Sequence, residues 1–332
     1  MRTQGDDGLK PSYRLTVNGI DIGPTVNGRL ISLTLTENRG LEADTLNLTL
    51  TDHDNALQLP PRGAAIEVAI GWEHEGLIDK GMFTVDEISY SGSPDQLSIR
   101  ARSVNMRTSL PTQKSRSWHE TTLGEIVRTI AAEHGLEPVI GNSLANEAVP
   151  HRDQTAQSDM DFLSHLAHHH DALVTVKGNH LLFIPAGTGH TASGTPLPTA
   201  EIHRHDGDQY SYSVADRNSY TGVRAYWNDL AEGEQKEILV GEEANAKELR
   251  PIFASEEEAL TEARSELKRL QRGTAEFSMT LAVGRPQLLV ETPIRARGFK
   301  AAVDQTPWVA LRVTHTLNDA GYVTDFDAEQ AN

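Results

Sequence analysis

Alternation of apolar and hydroxyl-bearing side chains does most to limit what this chain can fold into. Leu30-Ile-Ser-Leu-Thr-Leu35 and Asp44-Thr-Leu-Asn-Leu-Thr-Leu50 both alternate apolar residues with Ser, Thr or Asn. A period of two gives a strand one buried face and one wet face. Tyr13-Arg-Leu-Thr-Val17 alternates as well, and Asn18-Gly19 supplies the pair that tolerates the positive φ of a two-residue hairpin. Ala64–Trp72, Gly81–Ser91 and Gln96–Ser103 continue the pattern. Short strands at this spacing predict an antiparallel barrel or sandwich.

The period changes after Pro111. In Thr121–His134, Leu123, Ile126, Val127 and Ile130 share one helical face, and Gly135 stops the helix. Ser158–His170 reads as a second helix, with Ser158 and Asp161 at capping-box spacing. Ala172–Lys177 and His180–Pro185 form a hairpin around Gly178-Asn179, and Gly187–Pro198 reads as a linker. Strand character returns over Gln209–Asn228, with Val223, Ala225 and Trp227 on one face. Ser255–Arg272 is the clearest helix: Ser255 caps it, Glu258 completes a capping box and Gly273 closes it. Glu256, Glu257, Glu258 and Glu262 lie early, and Arg264, Lys268, Arg269 and Arg272 late, as the macrodipole favours. Strands follow at Glu276–Val283, Thr292–Phe299, Trp308–Leu317 and Tyr322–Asp327, the last hairpin turning at Asn318–Gly321. The layout is β-rich, then α/β, then β-rich, divided as 1–110, 111–190 and 191–332, with no short tandem repeat.

Composition narrows the function. The 332 residues suffice for two or three cores. With 30 Lys and Arg against 47 Asp and Glu, the net charge of −17 disfavours non-specific nucleic-acid binding. The absence of cysteine removes disulfides, thiolate nucleophiles and Cys-ligated metals. The first residues carry no apolar signal-peptide core and no run approaches 18 apolar residues, so neither secretion nor a membrane span is expected.

No catalytic constellation stands out. His165 and His169 are four apart on the second helix, and His203 and His205 alternate beside Asp206, but each pair lacks further ligands. Ser164 next to His165 is no dyad, because helical neighbours do not face each other. Asp52-His-Asp54 reads as a polar turn, and Asp159 and Asp161 as first-turn acids of a helix. HExxH, GxSxG, GxxxxGK[ST] and GxGxxG motifs are missing. The expectation is no catalytic, cofactor-binding or metal residue, and no enzyme.

Several segments resemble the late control protein D family of contractile-tailed phages, related to the hub part of type VI secretion spike proteins. The resemblance rests on Ser158, Asp159, Met160, Phe162, Leu163, Leu166 and Ala167, then on the hairpin ending in Phe183 and Pro185. It continues in Ser219–Asn228, in Ala263–Leu270, in Gly298-Phe299 and in the closing Trp308, His315, Gly321, Tyr322 and Thr324. The histidines at 168–170 depart from the family's charged or small polar residues. The resemblance implies a mainly β fold with an α+β insert: two antiparallel tube-like β-barrel domains around a small α/β domain. It also implies a structural baseplate hub of a phage tail or tail-like injection particle, assembled in the bacterial cytoplasm. Such a hub would be a homotrimeric symmetry adaptor between a hexameric tail tube and a trimeric central spike. Other baseplate proteins and a tape measure protein would be further partners, with no cofactor, membrane segment or specific nucleic-acid binding. A lumen carrying much of the negative charge would let DNA slide without sticking. The competing readings are a tail-associated cell-wall hydrolase, a type VI-like hub with a separate needle, and a carbohydrate-binding sandwich.

Overall fold

A computed structural model describes residues 9–331 except 41, 104–111, 178, 188, 190–195, 215–219 and 273. The break after Pro111, Gly178 of the hairpin turn, most of the 187–198 linker and the Gly273 stop therefore lie outside the described residues.

The alternating segments become β1 (Pro11–Val17), β2 (Ile20–Asp21), β3 (Leu30–Asn38), β4 (Thr45–Thr51), β5 (Ala65–Trp72), β6 (Gly76–Ser91) and β7 (Gln96–Ser103). Asn18 and Gly19 turn β1 into β2 with φ of 50° and 80°, the left-handed conformation the Asn-Gly pair predicts. The inward leucines of β3 and β4 are sealed: Leu33, Leu35 and Leu46 have no exposed surface.

Next come β8 (Lys114–Thr122), helix α1 (Leu123–Glu133), β9 (Glu137–Ile140), β10 (Ala148–Gln157), helix α2 (Asp159–His169), β11 (Ala172–Lys177) and β12 (His180–Pro185). Thr122 and Glu125 close a capping box on α1, and Ser158 caps α2 through the Asp161 amide. Leu123, Ile126, Val127 and Ile130 are fully buried against Leu163 and Phe183. Strands β8 and β10 form a two-stranded ribbon, and β9 adds in parallel to the β11–β12 hairpin.

The final part holds β13 (Ala200–His203), β14 (Tyr210–Val214), β15 (Gly222–Asp229), β16 (Glu234–Gly241), β17 (Ala246–Phe253), helix α3 (Glu256–Arg272), β18 (Ala275–Leu281), β19 (Pro293–Arg297), β20 (Trp308–Asn318) and β21 (Gly321–Gln330). Short helical turns occupy 23–26, 142–145 and 301–304. Strands β15, β16 and β17 make a separate sheet that packs Val223 and Ala225 against Ala259 and Ala263 of α3.

The two β-rich parts meet in one 13-stranded sheet, ordered β14-β18-β21-β20-β3-β4-β7-β6-β5-β1-β2, with β19 joining β20 and β13 joining β19. The join is β3 against β20. All pairs in this sheet are antiparallel except β13–β19. One core, around Leu35 and Phe83, takes in Leu317 and Tyr322 from the far end of the chain. Another gathers Phe277, Trp308 and Phe326.

Candidate functional site

The alternation that buries leucines on one side of the sheet sends Ser, Thr and Asn to the other. Cross-strand register aligns them into rows. One row runs Thr280, Asp325, Thr314, Thr36, Thr45, Arg102, Thr84 across seven strands. The next runs Val323, Thr316, Thr34, Asn47, Arg100, Glu87, and a third Asn318, Ser32, Thr49, Ser98, Ser89. The rows pass over the β3–β20 join without interruption, and Thr36 and Thr314 hydroxyls meet there at 3.3 Å. Charge is matched locally: Arg102 pairs with Asp86 at 2.8 Å, while Arg100 and Arg312 reach Glu87 and Asp327 at 3.9 Å. The face is hydroxyl-rich, and its arginines each meet a carboxylate, while Asp325 accepts from the Thr280 hydroxyl.

At its two ends the sheet keeps open edges among the described residues. Tyr210 and Val214 on β14 are 46% and 54% exposed, and Ile20 on β2 is 69% exposed.

Behind the polar face, the join carries a buried ionic group. Glu37 follows Leu33 and Leu35 on the inward side of β3, and His315 lies between Val313 and Leu317 on β20. A register shift in the β5–β6 pairing, between Glu67 and Ala69, leaves Lys80 out of the ladder beside Gly81 (φ +88°) and aims it inward. Lys80 Nζ donates to Glu37 Oε2 at 3.0 Å and lies 3.0 Å from His315 Nε2. His315 Nδ1 meets Tyr322 Oη at 2.9 Å and Thr324 Oγ1 at 3.1 Å. Burial acts to raise the Glu37 carboxyl, but His315 and Lys80 outweigh it and hold the pKa at about 2. Burial pushes Lys80 and His315 down.

A second ionic group docks the insert. Arg272 of α3 grips Asp171 through both guanidinium nitrogens, with Nη1 at 2.7 Å, and its Nε lies 3.4 Å from Glu329. Arg39 completes the chain with Glu329 and with Glu291, 2.6 Å from its Nε. Asp171 sits just past α2 with φ of 48°. The last carbonyls of α2 are closed by α3: Ser265 Oγ donates to His169 O at 2.7 Å and Arg269 to His168 O. Lys177 reaches across to Asp44 at 2.9 Å.

The residues weighed from sequence fall into structural roles. His169 bonds Glu262, whereas His165 is exposed and meets Gln157 at 3.4 Å, so the two do not converge. The expected strand through His203 and His205 ends at His203, because Arg204–Asp206 forms a 3-10 turn. His205 is 83% exposed there. Ser164 donates to Met160 O. Asp52 accepts the Leu57 amide at 3.0 Å, and Asp54 holds Arg29 through two bonds of 2.7 and 2.6 Å. Asp161 accepts from the Ser158 hydroxyl at 2.7 Å.

Glu133, His134 and Asp159 bring three possible ligand atoms within 4.8 Å of one another, a grouping that sequence spacing does not disclose. Two cations already fill it. Lys114 lies 2.6 Å from Asp159 and 2.7 Å from Glu133, and Arg116 2.7 and 2.6 Å from the same pair. Burial raises the Asp159 carboxyl, but Lys114, Gln154, His134 and Arg116 prevail and hold it at about 2. This is an ion-pair network that ties β8 to the start of α2.

No helix among the described residues is long and apolar enough to cross a membrane. Residues 40–321 match the family described as phage tail baseplate hub (GPD). The "Probable baseplate hub protein" of Escherichia phage 186 is 40% identical across 99% of this chain and 95% of its own length. A tail protein from Neisseria meningitidis MC58 shares the fold at a TM-score of 0.72 and 13% identity, over 97% of both chains. A type VI secretion system component of E. coli has a TM-score of 0.58 at 14% identity, over 96% of this chain and 77% of its own. The chain belongs to the phage tail baseplate hub family.

Proposed function

We infer that three copies of this chain form a ring that joins a hexameric tail tube to a trimeric central spike. The observation that carries this reading is the polar face that continues unbroken across the β3–β20 join. Two similar sheet halves per chain, from 1–110 and 191–332, give a trimer six comparable walls, with 111–190 set outside them. Open edges at β14 and β1–β2 let neighbouring copies meet head to tail, and such contacts close into a ring when the rotation permits. The polar face turns toward the axis. Its wall is then hydroxyl-rich, with most of its charges paired, rather than strongly acidic. A wall of short hydroxyls without a fixed cation row gives a passing polyanion little to grip.

The role is structural, with assembly in the bacterial cytoplasm and with tail tube, spike, other baseplate proteins and the tape measure protein as neighbours. Light scattering on a sizing column tests it. Three chains of 36.4 kDa give about 109 kDa, alone or in a larger complex once the spike protein is added. A monomer in both runs overturns the reading, and cell-wall lysis in a zymogram would point to the hydrolase instead.

A further inference from the structure

The β8–β10 ribbon packs Trp118 inward and presents its other face to solvent. His119 and His151 are direct cross-strand partners on that outer face. The adjoining outward pair, Ser117 opposite Asp153, carries no Lys or Arg, and on the other side Thr121 lies opposite the buried Val149. The two rings stack, with centroids 4.6 Å apart and planes 28° from parallel. Their Nδ1 atoms lie 3.0 Å apart.

Two observations fit a shared ion. As a hydrogen bond, the contact needs a proton on one of the two Nδ1 atoms. Bonds of about 2.0–2.1 Å to one metal instead separate two imidazole nitrogens by roughly 2.9–3.4 Å for angles between 90° and tetrahedral. The second observation is Asp153. Its Oδ2 lies 3.3 Å from His151 Nε2, and Ser117 Oγ donates to its other oxygen at 2.5 Å. A carboxylate that accepts the Nε2–H fixes the tautomer and leaves Nδ1 unprotonated, which is how metal-bound histidines are oriented.

We propose that His119 and His151 bind one divalent cation of the borderline class (zinc, nickel or copper) through their Nδ1 atoms, with Asp153 orienting His151. Imidazole donors suit these ions, whereas magnesium and calcium require oxygen ligands. Both histidines are exposed, so water completes the coordination. The Glu133–His134–Asp159 group is the counter-example, since its charge is met by Lys114 and Arg116.

Calorimetric titration of the full chain with zinc or nickel chloride at neutral pH tests the site. One ion should bind per chain, magnesium should give no heat, and H119A or H151A should abolish binding. D153A should weaken it by roughly ten- to a hundredfold. Affinity should fall on acidification, because protons compete with the metal for the imidazole nitrogens. Far-UV circular dichroism checks that the variants stay folded, as substitutions on an exposed ribbon face should. H203A/H205A, at the other histidine pair with rings 5.2 Å apart, should titrate like the parent. Absence of binding in the parent, unchanged binding in H119A/H151A, or loss confined to H203A/H205A overturns the proposal.

Discussion

At the β3–β20 seam the backbone itself joins the two ends of the chain, with seven residue pairs in register from Asn38–Arg312 to Ser32–Asn318. Where α2 meets α3, side chains carry the contact: Asp171 to Arg272, His169 to Glu262, and Ser265 and Arg269 to the last α2 carbonyls. Both seams hold buried charge, but water treats them differently. Lys80 has no exposed side-chain surface and Glu37 only 9%, and Arg272 and Asp171 are as little exposed, at 6% and 7%. Asp171 and Arg272, by contrast, line a cavity of about 420 Å³ together with Arg39, His168, Arg269 and Glu329. A ladder with a dry ion pair behind it should behave as one cooperative unit, whereas a side-chain clasp beside a cavity should open alone.

Glu37→Gln is the sharpest way to break the first seam. It keeps the shape of the side chain and leaves the Lys80 ammonium buried without its counter-charge. Removing one partner of a buried pair costs about 3–5 kcal/mol, and the dry setting places this variant toward the top of that range. The urea midpoint of the sheet should fall accordingly, with β3, β4, β20 and β21 losing hydrogen-exchange protection together. Lys80→Met added to Glu37→Leu should recover much of the loss. If Glu37→Gln alone is neutral, the pair is not buried in solution.

Arg272→Met is the matching test of the clasp. It strips Asp171 of both guanidinium bonds, but water from the neighbouring cavity can reach the freed carboxylate. A loss of about 3 kcal/mol is expected, at the low end for a broken buried pair. Faster exchange should be confined to α2, β11 and β12. Equal loosening of β3 and β20 would show that the two seams are one unit.

Much of this contrast was readable in the residues. Period-two runs mark β3, β4 and β20, and the same alternation places Glu37 and His315 on the inward side among Leu33, Leu35, Val313 and Leu317. A charged residue at an inward position is the signal of the buried pair, yet its partner was hidden. Lys80 turns inward only through a register shift with β5, which no local pattern in β6 announces. Strands β8, β10, β16 and β17 escaped for another reason. Their residues are mostly exposed or half-buried, as in Glu234–Gly241, so no apolar alternation betrays them. The His119–His151 pairing depends on the β8–β10 register and is invisible at 32 residues' separation. Helices α1 and α2 were legible because caps and apolar faces are local.

Acidification separates the seams by the groups that titrate in each. His170, at the clasp, is pushed down to about 4 by burial, by His169 and by Arg152, with Glu262 opposing. Its folded pKa lies below the ordinary imidazole value, so the unfolded chain binds the extra proton. The stability this neutral imidazole contributes is full above pH 6.5 and is lost as pH falls toward 4. The loss should be on the order of 2 kcal/mol after allowing for partial solvent access. Glu37 and Asp159, both held at about 2, lose theirs only below about 4.5. Exchange at α2 should therefore accelerate between pH 6.5 and 4.5, before the sheet responds to its carboxylates. His315, buried and also pushed down at the β3–β20 seam, would add a sheet response in the same window. His170→Asn tells the two apart: it should flatten the α2 response over that interval and leave any β20 response in place. If α2 keeps its full pH dependence in His170→Asn, the clasp is being titrated through another group.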